Sequence, residues 1–441
     1  MATSALANIA RIPELRRRML FTLGMLAVYR VGVFVTVPGA DRKAMQEFVG
    51  QDNSNSLLNF FNLMSGGALE QVSIFALGVM PYVSASIILQ LLTSVFKPLE
   101  ELRKEGEMGQ RKINQYTRYA TIALALVQGF SISLYLEGRQ TSDLVSVVRD
   151  PGWGFRLMAM LTLATGTAFI MWLGEQITER GIGNGISMII FAGIVADFPS
   201  SIAQTWQFAG TGQIQPTSLL IAAVITIGSV MAIVFFERGQ RRIPIEYSRR
   251  IIGRKMYGGQ RTHLPLRVNS SGVIPPIFAS TMLALPATLA GLHVPYMDVA
   301  RDHLGRGDWI YTTIFVLLTV FFCYFYTAVT FPPVDVADNL KKQGAFIPNI
   351  RPGKPTADYI EKVLMRITFA GALYVALVCV MPDFMRQYLK IPFQFGGTSI
   401  MIVVGVALDT ANQIESYLIS RHYEGFAGPE GPRIQGRRAT A

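Results

Sequence analysis

The sequence predicts an all-α polytopic membrane protein, with ten transmembrane helices in two inverted five-helix halves. Three observations carry that expectation. Apolar runs recur along the whole chain, Lys and Arg fall mostly in alternate loops, and one short motif appears twice in spans that must run in opposite directions.

The 441 residues are 51% hydrophobic and only 16% charged. A soluble domain averages about 25% charged residues, so a soluble fold is excluded. Apolar runs lie near 19–38, 72–94, 117–136, 155–174, 184–198, 217–236, 272–292, 310–330, 363–382 and 397–418. A bilayer-crossing helix needs about 20 such residues. The fifth run is the shortest and ends at Asp197 and Pro199.

Residues 1–18 form a basic segment with Arg11, Arg16, Arg17 and Arg18, expected to be cytoplasmic. No small-residue cleavage site follows the first run, so the first span is expected to stay. With the N-terminus inside, 30 of the 40 Lys and Arg fall in inner segments, and nine in outer loops or at their edges. That asymmetry orients the chain with both termini cytoplasmic. The first half is expected over 19–200 and the second over 201–420, with long inner loops at 237–270 and 331–362. A Gly/Pro-rich tail, expected to be flexible, occupies 421–441.

Cys323 and Cys379 sit mid-span in apolar context and read as packing residues, and the four histidines are scattered. Neither set has metal-ligand spacing. "GIGNG", Gly181 to Gly185, lacks the lysine and the strand of a phosphate loop and reads as a chain break before the fifth helix.

"GVMPYVSAS" runs from Gly78 to Ser86, and "GVIPPIFAS" from Gly272 to Ser280. They share Gly, Val, Pro, Ala and Ser at matching positions, and Val83 answers to Ile277. The second and seventh spans are an odd number of crossings apart, so the copies run in opposite directions. That is the mark of an inverted repeat. Each copy places a proline inside an expected helix, where it would kink the chain.

Inverted repeats admit a small-solute transporter or a channel. Coupled transporters carry midplane charges, yet here Arg30 and Asp409 are the main candidates, with Glu175 at a span end. The repeat is surrounded by aliphatic and small residues, which suit an apolar constriction. The loop "ERGQRRIPIEYSRRIIGRKMYGGQRTHLPLRVN" is strongly basic. Topology determination and anionic-lipid binding both account for such charge, and so does docking of a large anionic partner. "SLLNFFNLMSGGALEQ", from Ser56, holds two turns of apolar surface too short to span the bilayer.

The segments "FALGVMPYVSASIILQLL", "TERGIGNGISMIIFAGIV", "ERGQRRIPIEY", "THLPLRVNSSGVIPPIFAS", "GAFIPNIRPGKPT" and "PFQFGGTSIMIVVGVALD" together resemble the SecY family, the pore subunits of bacterial protein-translocation channels. The resemblance covers roughly residues 10 to 425. It implies a channel that passes unfolded secretory chains along its axis and releases transmembrane segments sideways into lipid, in the bacterial cytoplasmic (inner) membrane. It implies no catalysis and no cofactor.

Carried over motif by motif, the family's aliphatic pore ring falls on Val83, Ile87, Ile186, Ile190, Ile277 and Ile402. Val83 departs from the family's more usual isoleucine, which would loosen the ring. The plug that closes the outer funnel falls on a short helix at about 57–67, with Leu57, Leu58, Phe60, Phe61, Leu63 and Met64. The lateral gate lies between the second and third spans and the seventh and eighth. Ser86, Gln90, Gln128, Ser131, Ser280 and Thr281 supply its small polar groups. Arg242, Arg254, Lys255 and Arg351 correspond to positions that bind the ribosome and the ATPase SecA. Small membrane subunits resembling SecE and SecG, signal sequences and nascent polypeptides complete the implied partners.

Overall fold

The computed structural model describes residues 13–51, 62, 65–138, 146–211, 215–247, 250–252, 255–257, 261–290, 309–389 and 397–427. It is mostly helical, and a helix stands at each of the ten expected spans. The first half contains α1 (Pro13–Gly32), α2 (Arg42–Gln51), α3 (Met80–Val95), α4 (Lys97–Lys104), α5 (Glu107–Glu137), α6 (Trp153–Arg180), α7 (Gly185–Ala196) and α8 (Phe198–Gly210). The second contains α9 (Pro216–Arg238), α10 (Ile274–Ala290), α11 (Trp309–Thr330), α12 (Pro333–Lys342), α13 (Lys354–Leu389) and α14 (Gly397–Ala427). Seven described helical segments are by themselves long and apolar enough to cross a bilayer, and α3 reaches that length only together with α4, across a 96° bend. Helix α8 continues the fifth span past Asp197 and runs through position 200, where the sequence places the division between halves.

Both copies of the repeated motif start a helix. Gly78 and Gly272 adopt left-handed φ values of 56° and 62°. The helices α3 and α10 begin two residues later, at Met80 and Ile274. Pro81, Pro275 and Pro276 therefore stand in first turns, which corrects the expectation of mid-helix kinks. A first-turn residue has no intrahelical partner for its N–H, and proline's fixed φ suits that position. The apolar residues 72–79, expected to be helical, form buried turns instead.

The two halves repeat one packing pattern. In the first, α1 packs on α6 and α7, α3 on α5 and α6, α5 on α6, and α6 on α7. In the second, α9 packs on α13 and α14, α10 on α11 and α13, α11 on α13, and α13 on α14. Counted in spans, the pairings correspond one for one. The halves meet along two seams, α3 and α5 against α10, and α7 against α14.

The long basic loops are not irregular. In the first, β1 (Gln240–Tyr247) pairs antiparallel with β4 (Arg261–Arg267), in a register from Gln240↔Arg267 to Glu246↔Arg261. A two-stranded ribbon, β2 (Arg250–Ile252) and β3 (Lys255–Tyr257), lies between them in sequence. In the second loop β5 (Ala345–Phe346) joins the other edge of β1, through Glu246↔Phe346 and Tyr247↔Ala345. The sheet order is β4-β1-β5, so the two loops form one platform. Ile243, Ile245 and Leu266 of the sheet pack with Leu340 of α12 and with Ile360 and Leu364 of α13.

Where the platform hands over to α10, Asn269 acts as a clamp. Its buried amide Nδ2 donates to Glu237 Oε1 of α9 at 2.6 Å and to Gly272 O at 3.0 Å. Ser271 Oγ donates to Asn269 Oδ1 at 3.0 Å. The exit of the hairpin is thereby tied to the start of α10.

The turn into α7 is equally specified. Asn184 caps the helix by accepting from Ile186 N and Ser187 N. Gly183 takes φ 86°, and a Cβ on Gly185 would lie 1.8 Å from Gly174 O. Gly185→Ala should cost about 1–3 kcal/mol, as overpacking does, seen as a lower melting temperature in detergent by intrinsic fluorescence. Gly154→Ala, in open space, should not lower it. Equal melting temperatures for Gly185→Ala and the unmodified chain would count against this packing.

Candidate functional site: an aliphatic waist between two halves

Val83 and Ile87 are four residues apart on α3, and Ile186 and Ile190 repeat that spacing on α7. Residues so spaced share one face of a helix. Ile277 stands in the first turn of α10, and Ile402 on α14. These helices line the two seams. All six side chains belong to one apolar cluster, with Val83, Ile87, Ile190, Ile277 and Ile402 buried and Ile186 packed against them. Branched aliphatics offer no hydrogen bond to a solute, and a narrow apolar constriction excludes ions by dewetting.

The first seam carries the expected small polar groups. Ser280 Oγ and Thr281 Oγ1 both donate to Ile277 O, at 2.9 and 2.7 Å, and so turn back onto their own helix. On α3, Gln90 Nε2 reaches Ser86 Oγ at 3.5 Å. On α5, Gln128 and Ser131 are buried. Among the described residues, Gln90 Oε1 and Gln128 Oε1 are buried without a hydrogen-bond donor. An orphaned buried oxygen costs about 1–3 kcal/mol, so α3 and α5 each carry an uncompensated polar group. Helix α11 packs behind α10. The first half reaches α11 through Arg103 on α4, whose Nη2 donates to Val329 O at 2.5 Å.

The side chains expected to form the plug, Leu57, Leu58, Phe60, Phe61, Leu63 and Met64, lie outside the described residues. The turn that follows them, from Ser65 to Gly67, is described and sits against α1 and α7.

At the platform, Arg242 is exposed on β1, on the strand face opposite buried Ile243 and Ile245. Strand alternation produces that outward placement. Arg351 is exposed in a tied turn, in which Ile350 N donates to Ile347 O at 3.1 Å and Thr356 Oγ1 donates to Arg351 O at 2.8 Å. Asn349 and Gly353 flank it with left-handed φ values of 66° and 105°. Neither Arg242 nor Arg351 has an ion-pair partner among the described residues. Lys255 opens β3 opposite Ile252, and Arg254 lies outside the described residues. Sequence reasoning missed the β1–β5 pairing, the Asn269 clamp and the Arg103 bridge. Only the alternating Ile243 and Ile245 signalled a strand.

A family profile described as SecY matches residues 73–411. The Protein translocase subunit SecY of Escherichia coli (strain K12) is 49% identical over 416 residues, 93% of each chain. Among solved structures, one concerning the plug domain of a SecY protein aligns with a TM-score of 0.65 at 17% identity, covering 96% of this chain and 99% of that one. Sec61 in the canine ribosome-channel complex from the endoplasmic reticulum aligns with a TM-score of 0.60 at 15% identity, with the same coverage. At such identities the structures bear on fold alone, whereas the sequence match spans nearly the entire molecule. The chain belongs to the SecY family.

Proposed function

We propose that this protein is the central pore subunit of a protein-conducting channel, passing unfolded secretory polypeptides across the membrane and releasing transmembrane segments laterally into lipid. The observation that carries this reading is the aliphatic cluster at the junction of two inverted halves. A ring of Val83, Ile87, Ile186, Ile190, Ile277 and Ile402 would deform around any passing chain without binding a particular sequence. The seam of α3 and α5 against α10 is the lateral gate, opening for a signal-sequence helix. Residues near 57–67 are the plug, by likeness to the neighbour whose plug domain is described as stabilising the closed state and maintaining a membrane seal. A small-solute transporter, the other reading an inverted repeat admits, draws no support from the family match or the neighbouring folds.

The channel lies in the bacterial inner membrane with both termini cytoplasmic, as the Lys and Arg asymmetry supports. Its platform then faces the cytoplasm, and Arg242, Arg254, Lys255 and Arg351 meet SecA or the ribosome there. Energy for translocation comes from those partners, and membrane subunits resembling SecE and SecG complete the complex.

Photo-crosslinking tests the waist. With a probe placed in turn at Val83, Ile190, Ile277 and Ile402, a precursor stalled in membranes supplied with SecA and ATP should be captured at all four sites. Labelling only at lipid-facing controls, such as Phe235, would sink the ring. Arg351→Glu should lower SecA-driven export at least about tenfold, the scale of losing a charged contact, with insertion and folding intact. Export at the unmodified rate would remove Arg351 from partner coupling. Gln128→Leu should firm the gate and raise the signal-sequence hydrophobicity needed for export. An unchanged threshold in a graded signal-sequence series would mean the seam polarity is not used.

A further inference from the structure

Arg30 is the one cation inside the first apolar run, and the channel reading leaves it unexplained. Intramembrane charges are costly and seldom idle. Its side chain is half-buried near the end of α1, and Nη1 donates to Gly66 O at 2.5 Å. The preceding residue, buried Tyr29, donates its hydroxyl to Ser65 O at 2.9 Å. Two successive carbonyls of one turn are thus held by two successive side chains of α1.

The other face of that turn meets α7. A Cβ on Gly66 would lie 2.7 Å from Gly193 Cα, so the two glycines touch backbone to backbone. A Cβ on Gly67 would lie 3.6 Å from Asp197 Oδ1, at the end of α7. Asp197 interacts electrostatically with Arg30 and also with Glu70. The guanidinium therefore has a counter-charge nearby, beyond ion-pair distance, as well as a carbonyl to hold. Gly66 and Gly67 both take left-handed φ values, 65° and 81°. The turn is also braced internally, because Gly67 N donates to Asn62 O at 2.8 Å and Glu70 N to Asn62 Oδ1 at 3.0 Å.

We propose that Arg30 is a positioning residue that latches the turn Ser65–Gly67, the described end of the expected plug, between the first and fifth spans, and so sets how readily that turn leaves its place. The proposal rests on the channel reading above. At rest, Arg30 and Tyr29 pin this turn to α1 while Gly66 nests on Gly193. Release breaks the Arg30 and Tyr29 bonds together, and a vacated Arg30 stays beside Asp197, poised to recapture the turn.

The test compares Arg30→Gln, Arg30→Lys and the unmodified chain, each in its membrane complex. Two quantities are read. One is the resting iodide permeability of vesicles, and the other is export of a precursor with a weakened signal sequence. Arg30→Gln loses a charge-assisted hydrogen bond and should raise resting permeability about tenfold, while also exporting the weakened precursor. Arg30→Lys, which keeps a cation beside Asp197, should fall between the two. Should Arg30→Gln fail to accumulate, Gly193→Ala carries the same test, because its Cβ would lie 3.2 Å from Gly66 Cα and crowd the latched turn without altering charge. A variant that exports the normal precursor, leaks no more than the unmodified chain and still rejects the weakened one overturns the latch and leaves the channel intact. If the unmodified chain exports nothing, the channel reading itself fails, and the latch with it.

Discussion

Inside a bilayer every backbone amide and carbonyl needs a partner from the protein itself, and residues 65–79 are where that requirement shapes the molecule. This stretch is buried yet built of turns. The chain leaving α1 satisfies it. Val37 N donates to Val72 O, Ile74 N donates to Val35 O, and Ser73 Oγ donates to Gly32 O. Tyr29 and Arg30 take the carbonyls of Ser65 and Gly66. With the irregular segment supported in this way, α3 starts at Met80 and brings Val83 and Ile87 into the apolar cluster. The constraint that forbids loose backbone in lipid thus positions the start of α3 and the aliphatic residues it carries.

Identical packing in the two halves does not make the two seams alike. Where α7 meets α14, polar contacts close at the loop end, with Gly183 N donating to Gln413 Oε1 at 2.9 Å and Thr410 Oγ1 reaching Met188 Sδ at 3.5 Å. Where α3 and α5 meet α10, Gln90 and Gln128 leave amide oxygens orphaned. Among the described residues, α14 likewise leaves Thr398 Oγ1 and Ser399 Oγ buried without a partner.

Much of this was legible in the sequence, for definite reasons. Helix positions follow from apolar runs, since lipid imposes its solvent preference on composition. The doubled Gly-Val-x-Pro motif exposed the inverted halves. The waist residues were placed by family resemblance, and the four-residue spacing of Val83 with Ile87 and of Ile186 with Ile190 agrees with a shared helical face. Helix starts were misread, because residues 72–79 are as apolar as a span, and only the left-handed Gly78 followed by Pro81 separates turn from helix. The platform was illegible for another reason. Tyr247 and Ala345 pair across α10, α11 and α12, and no local pattern announces a partner so distant. The fit of Gly66 on Gly193 is likewise a relation between two glycines that look ordinary apart.

That distant strand pairing also orders the molecule's birth. A hairpin of β1 and β4 can close as soon as Arg267 has been made, but the third strand does not exist until the chain has grown past Phe346. By then α10 and α11 have been synthesised, and their placement governs whether β5 can reach β1. Pairings of such long sequence separation form late. The platform that carries Arg242 is therefore completed only after the chain has grown past Phe346. Any partner requiring both arginines meets them together only once the chain has grown past Arg351, with α13 and α14 still to follow.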